Sequence, residues 1–173
     1  MIDQQRFREL MTGVCAPVTV VTTMHDGVPH GATVSSLASL SLDPPLISVA
    51  FDRGSTLLRQ IRRAARFGVN LLGLAQDELA VTFARRGVDR FGSVAWFTDD
   101  GLPRLADAAG WMVCDLYREV EAGDHLLLFG LVQAASRTDL PPLVYAYRTF
   151  GTHSRFAERP RAQIVDIIAA CAS

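Results

Sequence analysis

Hairpin-type turns separate most of the apolar runs in this chain, and a chain so punctuated folds most readily as antiparallel sheet. The run Val18-Thr19-Val20-Val21-Thr22-Thr23 is rich in β-branched residues, which pack well on a pleated surface. His25-Asp26-Gly27 follows it, and an Asp-Gly pair is a strong turn signal between strands. A returning strand is expected over His30 to Leu37. Asp43-Pro44-Pro45 must end it, because proline cannot donate to a strand ladder, and Leu46 to Phe51 reads as the next strand. Gly68 to Leu72, Trp111 to Glu121, His125 to Ala134 and Leu143 to Arg148 are further strands. Two of these, Trp111 to Glu121 and His125 to Ala134, join across Ala122-Gly123-Asp124. The polar, glycine-containing excursion from Arg86 to Pro103 is expected to hold one short strand near Trp96.

Helices are fewer. Phe7, Leu10 and Met11 fall at helical spacing, with Asp3 as cap and Gly13 as stop. Ser55 caps a helix expected to run through Phe67, with Leu57, Leu58 and Ile61 inward. Asp77 to Arg86 is a short helix with Leu79 and Phe83 on one face and Gly87 as its stop. Arg161 to Ala170 reads as a closing helix striped by Ile164, Ile167 and Ile168. The fold class is therefore mainly β, an antiparallel sheet or β-barrel with peripheral helices rather than a doubly wound α/β sheet. With 173 residues and no linker or repeat, a single domain over 1–173 is expected.

Several function classes are disfavoured. The net charge of −1 carries no nucleic-acid footprint, and Arg59, Arg62, Arg63 and Arg66 read as the solvated face of one helix. The N-terminus lacks the apolar stretch of a signal peptide, and no apolar run reaches the length of a membrane span. Cys15, Cys114 and Cys171 are odd in number and far apart, which argues against a disulfide framework or a zinc site. Read as reduced and mostly buried, they fit a cytoplasmic compartment. No G-x-G-x-x-G follows a strand, and no phosphate-binding Walker loop, metal-spaced pair or G-x-S-x-G elbow is present. Any hard chemistry would then belong to a borrowed organic cofactor.

Five clusters could hold such a cofactor. Thr33 and Ser35, with Ser36 beside them, are expected on a strand where alternate residues share a face; their hydroxyls suit the edge of a planar polar ligand, and equally a solvated strand. Arg53, Ser55 and Thr56 open a helix after the apolar strand ending at Phe51. A helix N-terminus with an arginine is a natural anion site, though a simple N-cap would look the same. Phe83 and Arg85 could clamp a ligand rim, or Phe83 could be core. His125, in Gly123-Asp124-His125, titrates near neutrality and could meet a reacting ring, or sit incidentally in a turn. Tyr145 and Tyr147, alternate residues of one expected strand, could stack on a ring or fill a dimer interface.

Taken in order, these segments resemble the short-chain flavin reductase family, the reductase components of two-component flavin monooxygenases. The resemblance runs from Pro17 to Thr23, through Gly27 to Ser36 and the S-L-S-L-D-P-P of Ser39 to Pro45. It continues through Phe67 to Leu72 with Gln76, then Gly123-Asp124-His125, then Pro142 to Tyr145. It implies the FMN-binding split β-barrel, Greek-key-like, and an NAD(P)H:flavin oxidoreductase using FMN or FAD with NADH or NADPH. On that resemblance Thr33, Ser35 and Ser36 would line the flavin, and Ser48, Val49, Ala50 and Phe51 would run beneath its ring. Arg53, Ser55 and Thr56 would hold its phosphate, Phe83 and Arg85 would close the site, and His125 would lie near the nicotinamide. Tyr145 and Tyr147 would be weaker contacts. It further implies a homodimer, a partner monooxygenase receiving reduced flavin, and cytoplasmic localisation. A non-catalytic flavin carrier or sensor on the same fold is the alternative.

Overall fold

The computed structural model describes residues 2–153; the expected closing helix at Arg161 to Ala170 and Cys171 lie outside the described residues. In chain order the elements are α1 (Gln4–Thr12), β1 (Ala16–Pro17), β2 (Thr19–His25), β3 (Val28–Val34), β4 (Ala38–Leu42), β5 (Pro45–Asp52), α2 (Thr56–Ala64) and β6 (Arg66–Leu71). A single 3-10 turn at Leu74–Gln76 leads into α3 (Asp77–Ala84). Then come β7 (Trp96–Asp99), β8 (Leu102–Leu105), β9 (Gly110–Ala122), β10 (His125–Arg137), β11 (Leu143–Ala146) and β12 (Thr149–Thr152).

Seven strands form one antiparallel sheet in the order β3-β2-β6-β9-β10-β5-β4. Its two edge strands, β3 and β4, are consecutive in the chain, so the sheet must curl to let residues 35–37 join them. The edges do not ladder together. The sheet is an open, mostly β structure of the split-barrel type, as expected. The link between the edges is anchored on β5: the Ser36 hydroxyl accepts from the Ala50 amide at 2.8 Å and donates to the Ala50 carbonyl at 3.2 Å. The β4–β5 ladder stops at Ala38 opposite Ser48, so this hydroxyl continues the pairing by one more step.

One hydrophobic core fills the curl. It joins Val21, Val49, Phe51, Phe67, Val69 and Leu128 to Leu57, Leu58 and Ile61 of α2. A second core lies on the other side of β2, where Val18, Val20, Leu72, Phe83, Leu105 and Leu143 meet. β2 is thus buried on both faces along Thr19 to Thr23. Its buried threonines keep their hydroxyls satisfied: Thr19 donates to the Val34 carbonyl, Thr22 to Pro103 and Thr23 to Arg66, at 2.6–2.7 Å.

The structure corrects several expected boundaries. α2 stops at Ala64, because Ala65 turns left-handed (φ 56°) and its amide returns to the Ile61 carbonyl. Phe67 therefore lies in β6, fully buried, with Gly130 of β10 packed so close that a Cβ there would come within 2.5 Å of the ring. Arg66 leaves the expected helix face and bridges Asp100 and Asp115, and Arg62 pairs with Glu119. β3 ends at Val34 rather than Leu37, and β4, β8 and β12 are additional strands. Cys15 is exposed, against expectation, whereas Cys114 is buried.

Candidate functional site

Two loops seventy residues apart meet at one end of the large sheet. β5 and β10 pair with His125 opposite Asp52, which places the β5–α2 corner beside the β9–β10 hairpin. Arg53 ties them: its amide donates to the Asp124 carbonyl at 3.2 Å, its Nε to the Gly123 carbonyl at 3.0 Å, and Nη2 reaches Glu121 at 3.3 Å. Asp52 shapes the corner by accepting from the Gly54 amide at 2.7 Å. Ser55 caps α2, its hydroxyl accepting from the Leu58 amide. The amides of Thr56 and Leu57 lie in the first turn, where a helix offers no internal acceptor. The Thr56 hydroxyl accepts from Arg59 at 3.2 Å, so Arg59 belongs to this corner rather than to a merely solvated face.

His125 opens β10 with its side chain 45% exposed. Its Nδ1 lies 2.7 Å from Asp124 Oδ1. That hydrogen bond holds the Asp124 carboxyl below the usual carboxylate range. A carboxylate at this distance favours a proton on Nδ1 and fixes the ring, which leaves Nε2 directed to a partner outside the pair.

The hydroxyl segment is assembled differently from expectation. Thr33 and Ser35 do not share one strand face, because β3 ends between them at Val34. The Thr33 hydroxyl donates to the Ala80 carbonyl of α3 at 2.6 Å, and the Ser36 hydroxyl is committed to Ala50. Ser35 is exposed and keeps its hydroxyl toward solvent. Along β5, Val49 and Phe51 turn into the core while Ser48 and Ala50 alternate to the other face, so Val49 can offer a ligand only its backbone. Phe83 is fully buried, edge to face with Phe91 at 5.1 Å; its ring supports the site from below and cannot close its rim. Arg85 is exposed at the end of α3.

Tyr145 and Tyr147 stand apart from this group. Tyr145 lies in β11, pairs with Ala16 of β1 and packs on Phe150 at 5.1 Å. Tyr147 is not on the strand at all. It takes a left-handed turn (φ 50°), is 74% exposed and donates its amide to Thr12 at the end of α1.

One wall was missed from sequence. The excursion after α3 returns at Phe91, which is pinned between Phe83 and Trp96. This brings Val88, Asp89 and Arg90 over a cleft whose other sides are His30, Gly31, Thr56 and Leu57. The signal that could have found it is a lone phenylalanine inside a polar stretch, since such a residue needs a core to enter. Among the described residues no cluster of histidine, cysteine and acidic side chains could hold a metal ion.

The corner therefore offers a helix start, two hydroxyls and two arginines to an anion, next to a held histidine and a backbone-lined strand. These residues suit a phosphorylated planar ligand. Comparison with known proteins points the same way. A family model described as "Flavin reductase like domain" matches residues 11–154. The chain is 37% identical over 150 residues to the reductase component of a 4-nitrophenol 4-monooxygenase/4-nitrocatechol 2-monooxygenase from Rhodococcus opacus, covering 87% of this chain and 81% of that one. It is 39% identical over 147 residues to a flavin reductase (NADPH) from Lentzea aerocolonigenes, covering 83% and 86%. An NADH:FAD oxidoreductase from Streptomyces globisporus, solved with NAD and FAD fragments, superposes with a TM-score of 0.86 at 28% identity, over 90% of this chain and 96% of that one.

Proposed function

The chain belongs to the flavin reductase-like family, and from that premise we propose that it oxidises NADH or NADPH with FMN or FAD and hands the reduced flavin to a partner monooxygenase. The observation that carries this reading is the joint made by Arg53. It holds an anion-binding corner and a histidine-bearing hairpin together at one end of the sheet.

When bound, a flavin supplies the two-electron acceptor for a nicotinamide. The protein's share is placement, and holding two reactants in register can lower a barrier by roughly 7–11 kcal/mol. Arg53, Ser55 and Thr56 hold the phosphate end at the start of α2. Ser48 and Ala50 present small side chains, and Val49 and Phe51 their backbone, beneath the ring. Ser35 reaches the ring edge from the β3–β4 link, with Thr33 and Ser36 fixing that link to α3 and β5. His125, held by Asp124, faces the nicotinamide with Nε2. Arg85 borders the site and Phe83 supports its floor.

Few of these contacts carry net charge, which favours a flavin that binds and leaves. Leu127, Phe129 and Leu131 alternate along the partly exposed face of β10, and a second copy of the chain covering that face would make a homodimer. A cytoplasmic location fits the exposed, unpaired Cys15. Tyr145 and Tyr147 sit on and beside the small sheet β1-β11-β12, and of their two expected roles, stacking on a ring or filling a dimer interface, this placement favours the interface.

The test is steady-state oxidation of NADH and NADPH by the purified chain with FMN, FAD and riboflavin. Flavin-dependent consumption of either nicotinamide is expected. Tight flavin binding without any nicotinamide oxidation would instead identify a carrier or sensor.

A further inference from the structure

β9 is held unequally along its length. Its first half, Gly110 to Asp115, ladders with β6 on one edge and β10 on the other. From Leu116 to Ala122 it pairs with β10 alone, and among the described residues no strand covers its outer edge. The change comes at a bulge: Leu116 lies opposite Gly130 and Arg118 opposite Phe129, so Tyr117 is the extra residue. A bulge bends its strand and raises the local twist. The ladder between β5 and β10 fixes the backbone of His125. The turn that carries Asp124, however, also hangs on this half-covered part of β9.

Helix α2 and its flanks tie to the uncovered edge at both ends and in the middle. The Leu116 amide donates to the Ala65 carbonyl at 2.8 Å, just past the helix end. The Arg53 side chain reaches Gly123 and Glu121, ahead of the helix start. Midway stands Arg62 with Glu119. The Arg62 Nε donates to both Glu119 oxygens, at 2.9 and 3.0 Å, and Nη2 donates to one of them at 2.6 Å. Among the described residues, no other side chain from Tyr117 to Val120 makes a polar contact outside the hairpin. The Glu119 side chain is 25% exposed, so water competes for it less than for Glu121 at the tip, which is 76% exposed. A guanidinium fork on a carboxylate fixes direction as well as distance. Arg62 stands in the last turn of the helix whose first turn forms the phosphate corner. The pair therefore sets the bent end of the hairpin against that corner.

We propose that Arg62 and Glu119 are a positioning pair for hydride transfer: they hold the bent half of β9 so that the Gly123-Asp124 turn presents His125 to the nicotinamide. This rests on the flavin reductase reading and adds to it two residues that act through His125. Half-exposed ion pairs contribute little to global stability, so loss of this one should appear in rate rather than in melting temperature.

The test is single-turnover oxidation of the nicotinamide at saturating flavin, with a flavin titration alongside, on the full chain. Glu119→Gln keeps the shape of the side chain and removes its charge. It should slow the transfer about tenfold, within what a displaced reacting group costs. The flavin dissociation constant should change by less than about twofold, and the melting temperature by less than about 4 °C. The exchanged pair, Arg62→Glu with Glu119→Arg, should return the rate to within about threefold of wild type. A double-mutant cycle then separates positioning from general support. In a His125→Ala background, Glu119→Gln should change the rate by less than about twofold, because the group that the pair positions is gone. A tenfold loss that persists in that background would overturn the inference, since the pair would then act elsewhere than through His125. An unchanged rate in Glu119→Gln would overturn it as well, and both results leave the reductase reading standing. A wild type that oxidises neither NADH nor NADPH with any flavin would overturn the reductase reading itself, and the inference with it.

Discussion

The Arg53 corner and the Tyr145–Tyr147 turn both carry side chains that suit a flavin-type ligand, yet only the first is tied to another candidate segment through the large sheet. Arg53 reaches across seventy residues to Gly123 and Asp124, and its neighbours Asp52 and His125 sit opposite each other in a ladder. Tyr147 makes its backbone contact with Thr12 and its side chain lies against Gly13, which ties it to the N-terminal helix. The difference lies in strand register. The ladder between β5 and β10 fixes the corner and the hairpin to one another, whereas among the described residues β11 ladders with β1 and β12 and meets Val18 and Leu72 through Leu143 alone. A chemically suitable residue becomes part of a site when the sheet leaves it no other place to be.

The sharpest way to break this comparison is at the hairpin. His125→Ala should cut turnover by about a hundredfold, the low end for loss of a positioned proton-bearing group, while the flavin dissociation constant changes by less than about threefold. Stopped-flow nicotinamide oxidation and flavin titration measure the two separately. Equal losses in both would make His125 a flavin-binding group and not one that faces the nicotinamide.

Arg53→Ala should come next. It removes a charge-assisted contact to phosphate and the tie to the hairpin at once. Hydrogen bonds to charged groups contribute about 1.5–3 kcal/mol, so the flavin dissociation constant should rise about ten- to a hundredfold. Riboflavin, which has no phosphate, should lose much less. An equal loss for riboflavin would mean that Arg53 acts only by holding the hairpin.

Tyr147→Ala should do almost nothing at the site. Flavin affinity and turnover are expected within about twofold of wild type. A loss of tenfold or more would bring the small sheet into the site and overturn its separation from the corner. Tyr147→Gly should hold or raise the melting temperature, because glycine adopts a positive φ without steric cost.

These contrasts also show what the sequence could and could not display. The strands of the large sheet were legible because β-branched runs and turn pairs act locally: Val18 to Thr23 and His25-Asp26-Gly27 need no distant partner to be read. The Arg53 and His125 segments were legible as motifs, but their meeting was not, since it depends on a ladder between β5 and β10. Phe67 was misplaced because its helix ends at Ala65, an alanine in a left-handed conformation that no local signal marks. Thr33 and Ser36 were expected to face a ligand. Their hydroxyls instead satisfy Ala80 and Ala50, backbone groups that only the folded chain brings near. Arg90 was invisible for a similar reason, since Phe91 finds its place only between Phe83 and Trp96.

The smallest effect expected separates the same two regions by their cysteines. Cys15 adjoins β1, under the small sheet, and is exposed; Cys114 lies in β9 within the main core. Burial, helped by Asp115 beside it, pushes the Cys114 thiol up to about 12. In a Cys171→Ser background, a disulfide reagent at pH 8 should therefore modify one thiol per chain in the native state and two after denaturation. The same shift sets a pH dependence. The unfolded chain releases the Cys114 proton near pH 9.0 and the folded chain does not, so the folded state binds more protons between that pH and about 12. Stability must then fall as pH rises through this window, and Cys114→Ala should flatten that part of the curve without touching the corner at Arg53. If native Cys114 reacts as fast as Cys15, β9 opens readily from the main core, and the ladder that joins the hairpin to the corner opens with it.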